Sequence, residues 1–133
     1  MQLGYTATLQ TTFDDAVGRT RDALSEQGFG VLTEIDVTAT LKQKLDEDME
    51  NYLILGACNP SLAHRALGVD RQIGLLLPCN VVVRDDVEHQ GTVIVEAMNP
   101  DIMVQVTDAP GLRDVAAEAT EKLRTAIGTL SAR

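Results

Sequence analysis

From Leu112 onward the chain carries one sustained signal. Leu112, Val115, Ala116, Ala119, Leu123, Ala126, Ile127 and Leu130 recur at spacings of three and four, with Arg113, Glu118, Glu121 and Lys122 set against them. This is an amphipathic helix with a single apolar stripe. Such a stripe has to be covered by another layer, so the remaining residues must supply one.

The material for that layer is extended. Leu3, Tyr5, Ala7 and Leu9 alternate with Gly4, Thr6 and Thr8, the period-two pattern of a strand with one buried face. Further extended segments are predicted at Phe29–Ile35, Asn51–Cys58, Leu75–Leu77, Cys79–Arg84 and Thr92–Met98, with Asp85–Gly91 as the hairpin loop between the last two. The continuous apolar run Tyr52-Leu53-Ile54-Leu55 predicts a central strand covered on both faces. Pro78, which has no N–H to give a ladder, predicts an edge or a bulge.

Helix starts are marked by side chains that cap free N–H groups. Thr12 with Asp15 three residues on resembles a capping box that opens a helix at Phe13, and Gly28 ends it. Asp36 caps a short helix with Val37, Leu41 and Leu45 on one stripe. Asn59-Pro60 opens a helix running to about Gly68, and Asn99-Pro100 opens a turn around Ile102 and Met103. The element order predicts an α+β fold of two layers, helices packed on one face of a mixed or antiparallel sheet. With 133 residues and no interior linker, positions 1–133 form a single domain.

Composition excludes several functions. Subtracting 11 Lys and Arg from 20 Asp and Glu gives a formal charge of −9, which opposes nucleic acid and anionic membrane surfaces. Aromatics stand only at Tyr5, Phe13, Phe29 and Tyr52, too few for a base-stacking platform. No run is apolar enough to span a bilayer and the N-terminal residues lack a secretory pattern, so a cytoplasmic location is expected. Two cysteines beside a full-sized core predict reduced thiols, not a disulfide framework.

Among reactive residues, Gly56-Ala57-Cys58-Asn59-Pro60 stands out. A thiol between a strand end and a helix N-terminus feels a dipole that favours thiolate, and the free N–H groups of the same turn can receive an anion, with Gly56 permitting close approach. The plainer alternative is a packed thiol acting as a small hydrophobe. Cys79, in Leu77-Pro78-Cys79-Asn80, would be turned toward the mouth of the sheet. Cys58, His64 and Cys79 would make a zinc or copper ligand set, although no C-x-x-C or H-x-x-x-H spacing accompanies them. His89 reads as loop surface. Asp70, Glu96 and Asp101 are acid/base candidates whose ordinary role is a cap or an open sheet face.

Other templates fail on spacing. Asp46, Glu47, Asp48 and Glu50 lack the calcium-loop pattern and read as a solvated loop. The interval from Cys58 to Arg65 is one residue too long for a thiol-phosphatase loop. The glycine-rich nucleotide motifs and G-x-S-x-G are absent.

Tyr52-Leu53-Ile54-Leu55-Gly56-Ala57-Cys58-Asn59-Pro60, then Leu62-Ala63, Ile73 through Val83 and the Met98-Asn99-Pro100 step resemble the signature blocks of domain-of-unknown-function family 302. The resemblance spans nearly the whole chain. It implies a small bacterial or archaeal two-layer α+β domain that tends to form homodimers, with signature positions Gly56, Cys58, Asn59, Pro60, Leu77, Pro78, Cys79 and Asn80. No activity comes with it.

Three functional expectations follow. In the leading one, a dimeric domain binds a small anionic or soft ligand between the Gly56–Pro60 turn and the Pro78–Asn80 bend. Asn59 and the helix N-terminus donate, Asn80 orients, and Cys58 with Cys79 lines the pocket. In the second, Cys58 attacks, Cys79 resolves and His64 or the helix dipole stabilises thiolate, as in a redox carrier or thiol enzyme. In the third, the cysteines are packed and the domain serves dimerisation alone. None calls for a cofactor, and whether the chain is an enzyme is left open.

Overall fold

The computed structural model describes residues 2–131. In chain order its elements are β1 (Gly4–Gln10), α1 (Phe13–Glu26), β2 (Gly30–Asp36), α2 (Val37–Leu45), β3 (Tyr52–Cys58), α3 (Pro60–Val69), a 3-10 turn (Arg71–Leu76), β4 (Cys79–Asp85), β5 (Thr92–Met98), α4 (Asp101–Thr107), a second 3-10 turn (Pro110–Leu112) and α5 (Arg113–Ser131).

Local capping sets many of these boundaries. The side chains of Thr12, Asp36, Asn59 and Asp70 accept from the N–H groups of Asp15, Ala39, Leu62 and Gln72, each satisfying a donor that the first turn leaves unpaired. Gly28, at φ +82°, takes the left-handed position just past α1. The acidic segment after α2 is a loop as expected. Asp46 ends the helix in the left-handed region, and Lys42 reaches both Asp46 and Asp48.

The five strands form one sheet in the order β1-β5-β4-β3-β2, and every pairing is antiparallel. Register aligns Leu53, Val83, Val95 and Ala7 in one row and Leu55, Val81, Ala97 and Tyr5 in the next, all facing the helices. Apart from the half-buried Tyr5, these side chains are buried, and the α5 stripe from Val115 to Leu130 closes over them with Ala16, Thr20, Ala23 and Leu24 of α1. The fold is therefore the two-layer α+β domain that the patterns predicted. Its opposite sheet face is open, with the row Ile35, Ile54, Val82, Glu96 and Thr6 along it.

Several expectations need correction. β3 is interior as expected, lying between β2 and β4, but it is not covered on both faces: Tyr52 and Ile54 are half-buried on the open side. Their neighbours in the sheet shield them sideways, which is why the run reads as continuous. Leu75–Leu77 is not a strand but lies in and just after the first 3-10 turn. Asp70 caps this turn, Ile73 is its buried member and Leu75 is 83% exposed. Pro78 marks neither an edge nor a bulge. It follows a cis Leu77–Pro78 bond immediately ahead of β4, the middle strand, and so costs the ladder nothing. The bulge is in β2, where the register slips between Val31 and Thr33. Asn99-Pro100 opens a helix, α4, where only a turn was expected. In α2 the predicted stripe is not buried: Leu45 is 65% exposed, because the helix sits at the sheet's edge without a second layer above it.

Candidate functional site

Where the end of β3 and the starts of β2 and β4 meet α3, α4 and α5, the layers leave a cavity of about 230 Å³. Phe29, Leu62, Ala66, Leu77, Met103, Val115 and Ala119 form most of its wall, with Ala57, Cys58, Asn59, Pro78 and Cys79 completing the sheet side. Small residues produce the gap. Ala57, Ala66 and Ala119 stand where larger side chains would otherwise meet across the two layers. Leu32, the residue at the β2 bulge, also lines the cavity, although it is 69% exposed.

Of the five residues singled out for ligand contact, Cys58, Asn59 and Cys79 reach this wall. Gly56 and Asn80 do not, because they pair with each other in register on the open face of the sheet. The space above Gly56 is already occupied. A Cβ there would overlap Thr33 Oγ1 and come within 2.8 Å of Pro78 Cγ, so the glycine admits the chain's own Pro78 ring and not a ligand.

Asn59 is committed to structure. Its Oδ1 accepts from Leu62 N–H at 3.3 Å, and its Nδ2 donates to Gln27 C=O at 3.3 Å, tying the start of α3 to the end of α1. The α3 N-terminus has little left for an anion. Pro60 has no N–H, Leu62 gives its own to Asn59 Oδ1, Ala63 gives its own to Asn59 C=O, and only Ser61 remains. The groove there is lined by Glu26 and Glu118 alongside Lys122, and Arg65 beside Glu118 holds that carboxyl below the usual carboxylate range, hence charged. No lysine or arginine lines the apolar cavity.

Cys58 and Cys79 are free thiols and are not near each other. The register partner of Cys79 is Ala57, so strand alternation sends Cys79 to the helix side and Cys58 to the other. The expected reactive pair is not assembled. Burial, and secondarily the charge of Cys58, pushes the Cys79 thiol up to about 11. At mildly alkaline pH it is then about 100-fold poorer in thiolate than an unperturbed thiol. Titration with an aromatic disulfide reagent at pH 8 should therefore release one equivalent quickly, from half-buried Cys58, and the second only after denaturation. Two equivalents at similar rates would contradict this assignment.

His64 is exposed on α3, and the Cys58, His64, Cys79 ligand set does not come together. Among the described residues, the one grouping with metal-ligand spacing is Asp86, Glu88 and His89 in the β4–β5 loop. Hydrogen bonds within the loop account for it, with Asp86 accepting from Glu88 N–H and facing His89 Nδ1 at 3.0 Å. The acid/base candidates are structural as well. Asp70 caps the 3-10 turn, Glu96 pairs with Arg84 at 2.9 Å on the open face, and Asp101 accepts from Gln105. The cavity residues Phe29, Leu62, Leu77, Met103 and Val115 were missed in sequence because an apolar residue lining a cavity and one filling a core leave the same pattern.

Fold and site together define a small antiparallel α+β domain with an apolar interlayer cavity and two separate thiols. The model of the family Domain of unknown function DUF302 matches residues 5–130, and the chain belongs to that family. A crystal structure of an uncharacterized conserved DUF302 protein from Bacillus stearothermophilus is similar, with a TM-score of 0.87 and 29% identity over 96% of this chain and 98% of the other. No curated protein matches the sequence. No helix among the described residues is long and apolar enough to cross a membrane.

Proposed function

We propose that this domain binds a small, uncharged, apolar or soft molecule in the cavity between α3, α5 and the β3–β4 end of the sheet. The observation that carries the proposal is the lining: about 230 Å³ walled by Phe29, Leu62, Ala66, Leu77, Met103 and Val115, with Cys79 and Met103 as its sulfur-bearing residues. An apolar cavity of about 150 Å³ is enough to take up benzene, so this one accommodates an aromatic of one to two rings. The absence of cationic side chains from the wall and the nearly exhausted N–H groups of α3 argue for this over the anionic version. The opposed directions of Cys58 and Cys79 argue for it over a redox pair.

Titration with benzene and indole, followed through the Met103 methyl resonance, tests the reading. Saturable shifts are expected with both probes, with Cys58→Ser leaving them in place and Ala66→Leu, which fills the cavity, abolishing them. Shifts at the Ser61 amide with inorganic phosphate, and none at Met103 with the aromatics, would return the site to anion binding. Loss of binding in Cys58→Ser would point to thiol chemistry instead.

A further inference from the structure

The wall of the apolar cavity is not closed evenly. Phe29, Ala57, Ala66, Met103, Val115 and Ala119 are buried, and none of them carries a side-chain nitrogen or oxygen. Leu32, Cys58, Asn59, Ala63, Leu77 and Pro78 line the same space while keeping part of their surface in solvent. The cavity is therefore blind at the helix layer and opens where β2, the start of α3 and the Leu77–Pro78 segment converge. The β2 bulge shapes this mouth. Val31 pairs with Ala57 on the helix side and Thr33 with Gly56 on the open side, so the chain changes face at Leu32, which is left out of the ladder. A leucine 69% exposed on an edge strand thus stands at the lip of an apolar space, where it gains burial only when the mouth is occupied.

We propose that the occupant is a single-headed amphiphile inserted tail first, its apolar end against Met103, Val115 and Ala119 and its polar group in water beside Leu32. This rests on the cavity reading given above and adds the class and orientation of the ligand. The blind end offers no side-chain hydrogen-bond partner, so a polar group carried into it would lose its water without compensation. At the mouth the same group stays hydrated, and the ligand's apolar stem passes Leu32 on the way in. The head is not read by a dedicated partner, because the Asn59 amide at the rim is already spent on Leu62 N–H and Gln27 C=O. Selection falls on the tail. Scaled from an apolar cavity of about 150 Å³ that takes up benzene, the space holds roughly nine carbon atoms. A longer tail is tolerated, since the excess extends past Leu32 into solvent.

Titration of the protein with 1-hexanol, 1-octanol, 1-dodecanol and 1,8-octanediol, beside benzene, tests the proposal through the Met103 and Leu32 methyl resonances. From hexanol to octanol the affinity should rise about fifteen-fold, roughly fourfold for each methylene buried, and dodecanol should bind no more weakly than octanol. The diol, which must carry a hydroxyl into the blind end, should bind at least about tenfold more weakly than octanol. Exclusion of dodecanol would mean a closed cavity, and a diol as tight as octanol would mean that the inner end accepts polar groups; either overturns the proposal. Leu32→Asp changes an exposed residue, so it should fold, bind octanol about fivefold more weakly and leave benzene unaffected. Equal losses for benzene and octanol in that variant, or no loss for octanol, would overturn the place of Leu32 at the mouth. Benzene saturating the cavity while no alcohol binds would overturn the amphiphile and leave the cavity reading standing, whereas failure of both would remove the two together.

Discussion

Gly56→Ala is expected to lower the thermal midpoint by about 10 °C, an effect of about 2–3 kcal/mol in a domain of this size. The added methyl group has nowhere to go. It would overlap Thr33 Oγ1, which can rotate away, and stand 2.8 Å from Pro78 Cγ, which belongs to a ring fixed at the start of the middle strand. Relief therefore requires the backbone of β3 or the Leu77–Pro78 segment to shift, and that segment also lines the cavity. The double variant Gly56→Ala, Thr33→Ala separates the two contacts. It should recover only part of the loss, because the proline contact is still there. Calorimetry on the three proteins checks this, and a single variant melting within about 2 °C of wild type would show that the region yields more easily than the packing implies.

The second large effect is alkaline destabilisation through Cys79. Its thiol is pushed up to about 11 from an ordinary value near 9, first by burial and then by Cys58. The folded state thus favours the neutral form. The associated stability is present in full below pH 9 and is lost as pH rises through 11, about 3 kcal/mol in all. Urea unfolding at steps from pH 8 to 11.5 should show this decline beyond whatever the lysines and tyrosines contribute. In Cys79→Ala those other groups titrate unchanged while the thiol term vanishes. The variant starts about 1 kcal/mol lower at pH 8, because the methyl leaves a larger void, and loses less with rising pH. Parallel curves for the two proteins would mean that Cys79 ionises in the folded state without penalty.

The elements that were legible in sequence are those whose cause is local. Thr12, Asp36 and Asn59 each cap a helix because the N–H they satisfy lies two or three residues away, and Gly28 ends α1 because one residue must take a positive φ. The α5 stripe from Leu112 to Leu130 was readable in full because a helical period and one covered face are enough to write it. The two-layer class follows from such stripes beside period-two strands, and so the fold was predictable where individual boundaries, as at Leu75–Leu77, were not.

The site depended on relations that no local pattern encodes. Cys58 and Cys79 stand close in the signature blocks, yet pairing Cys79 with Ala57 turns the two thiols to opposite faces, and a shift of one residue would have reversed that. Gly56 looked like an opening for a ligand and proved to be the seat of Thr33 and Pro78, which reach it from other segments of the chain. By itself the sequence determined the helices, their caps, most of the strands and the layer class, since these answer to hydrogen bonds and periodicity within a few residues. Only the tertiary structure decided the strand order, the free edge at β1 and the cavity, since register and the meeting of Phe29, Ala66, Met103 and Ala119 are set by packing between distant segments.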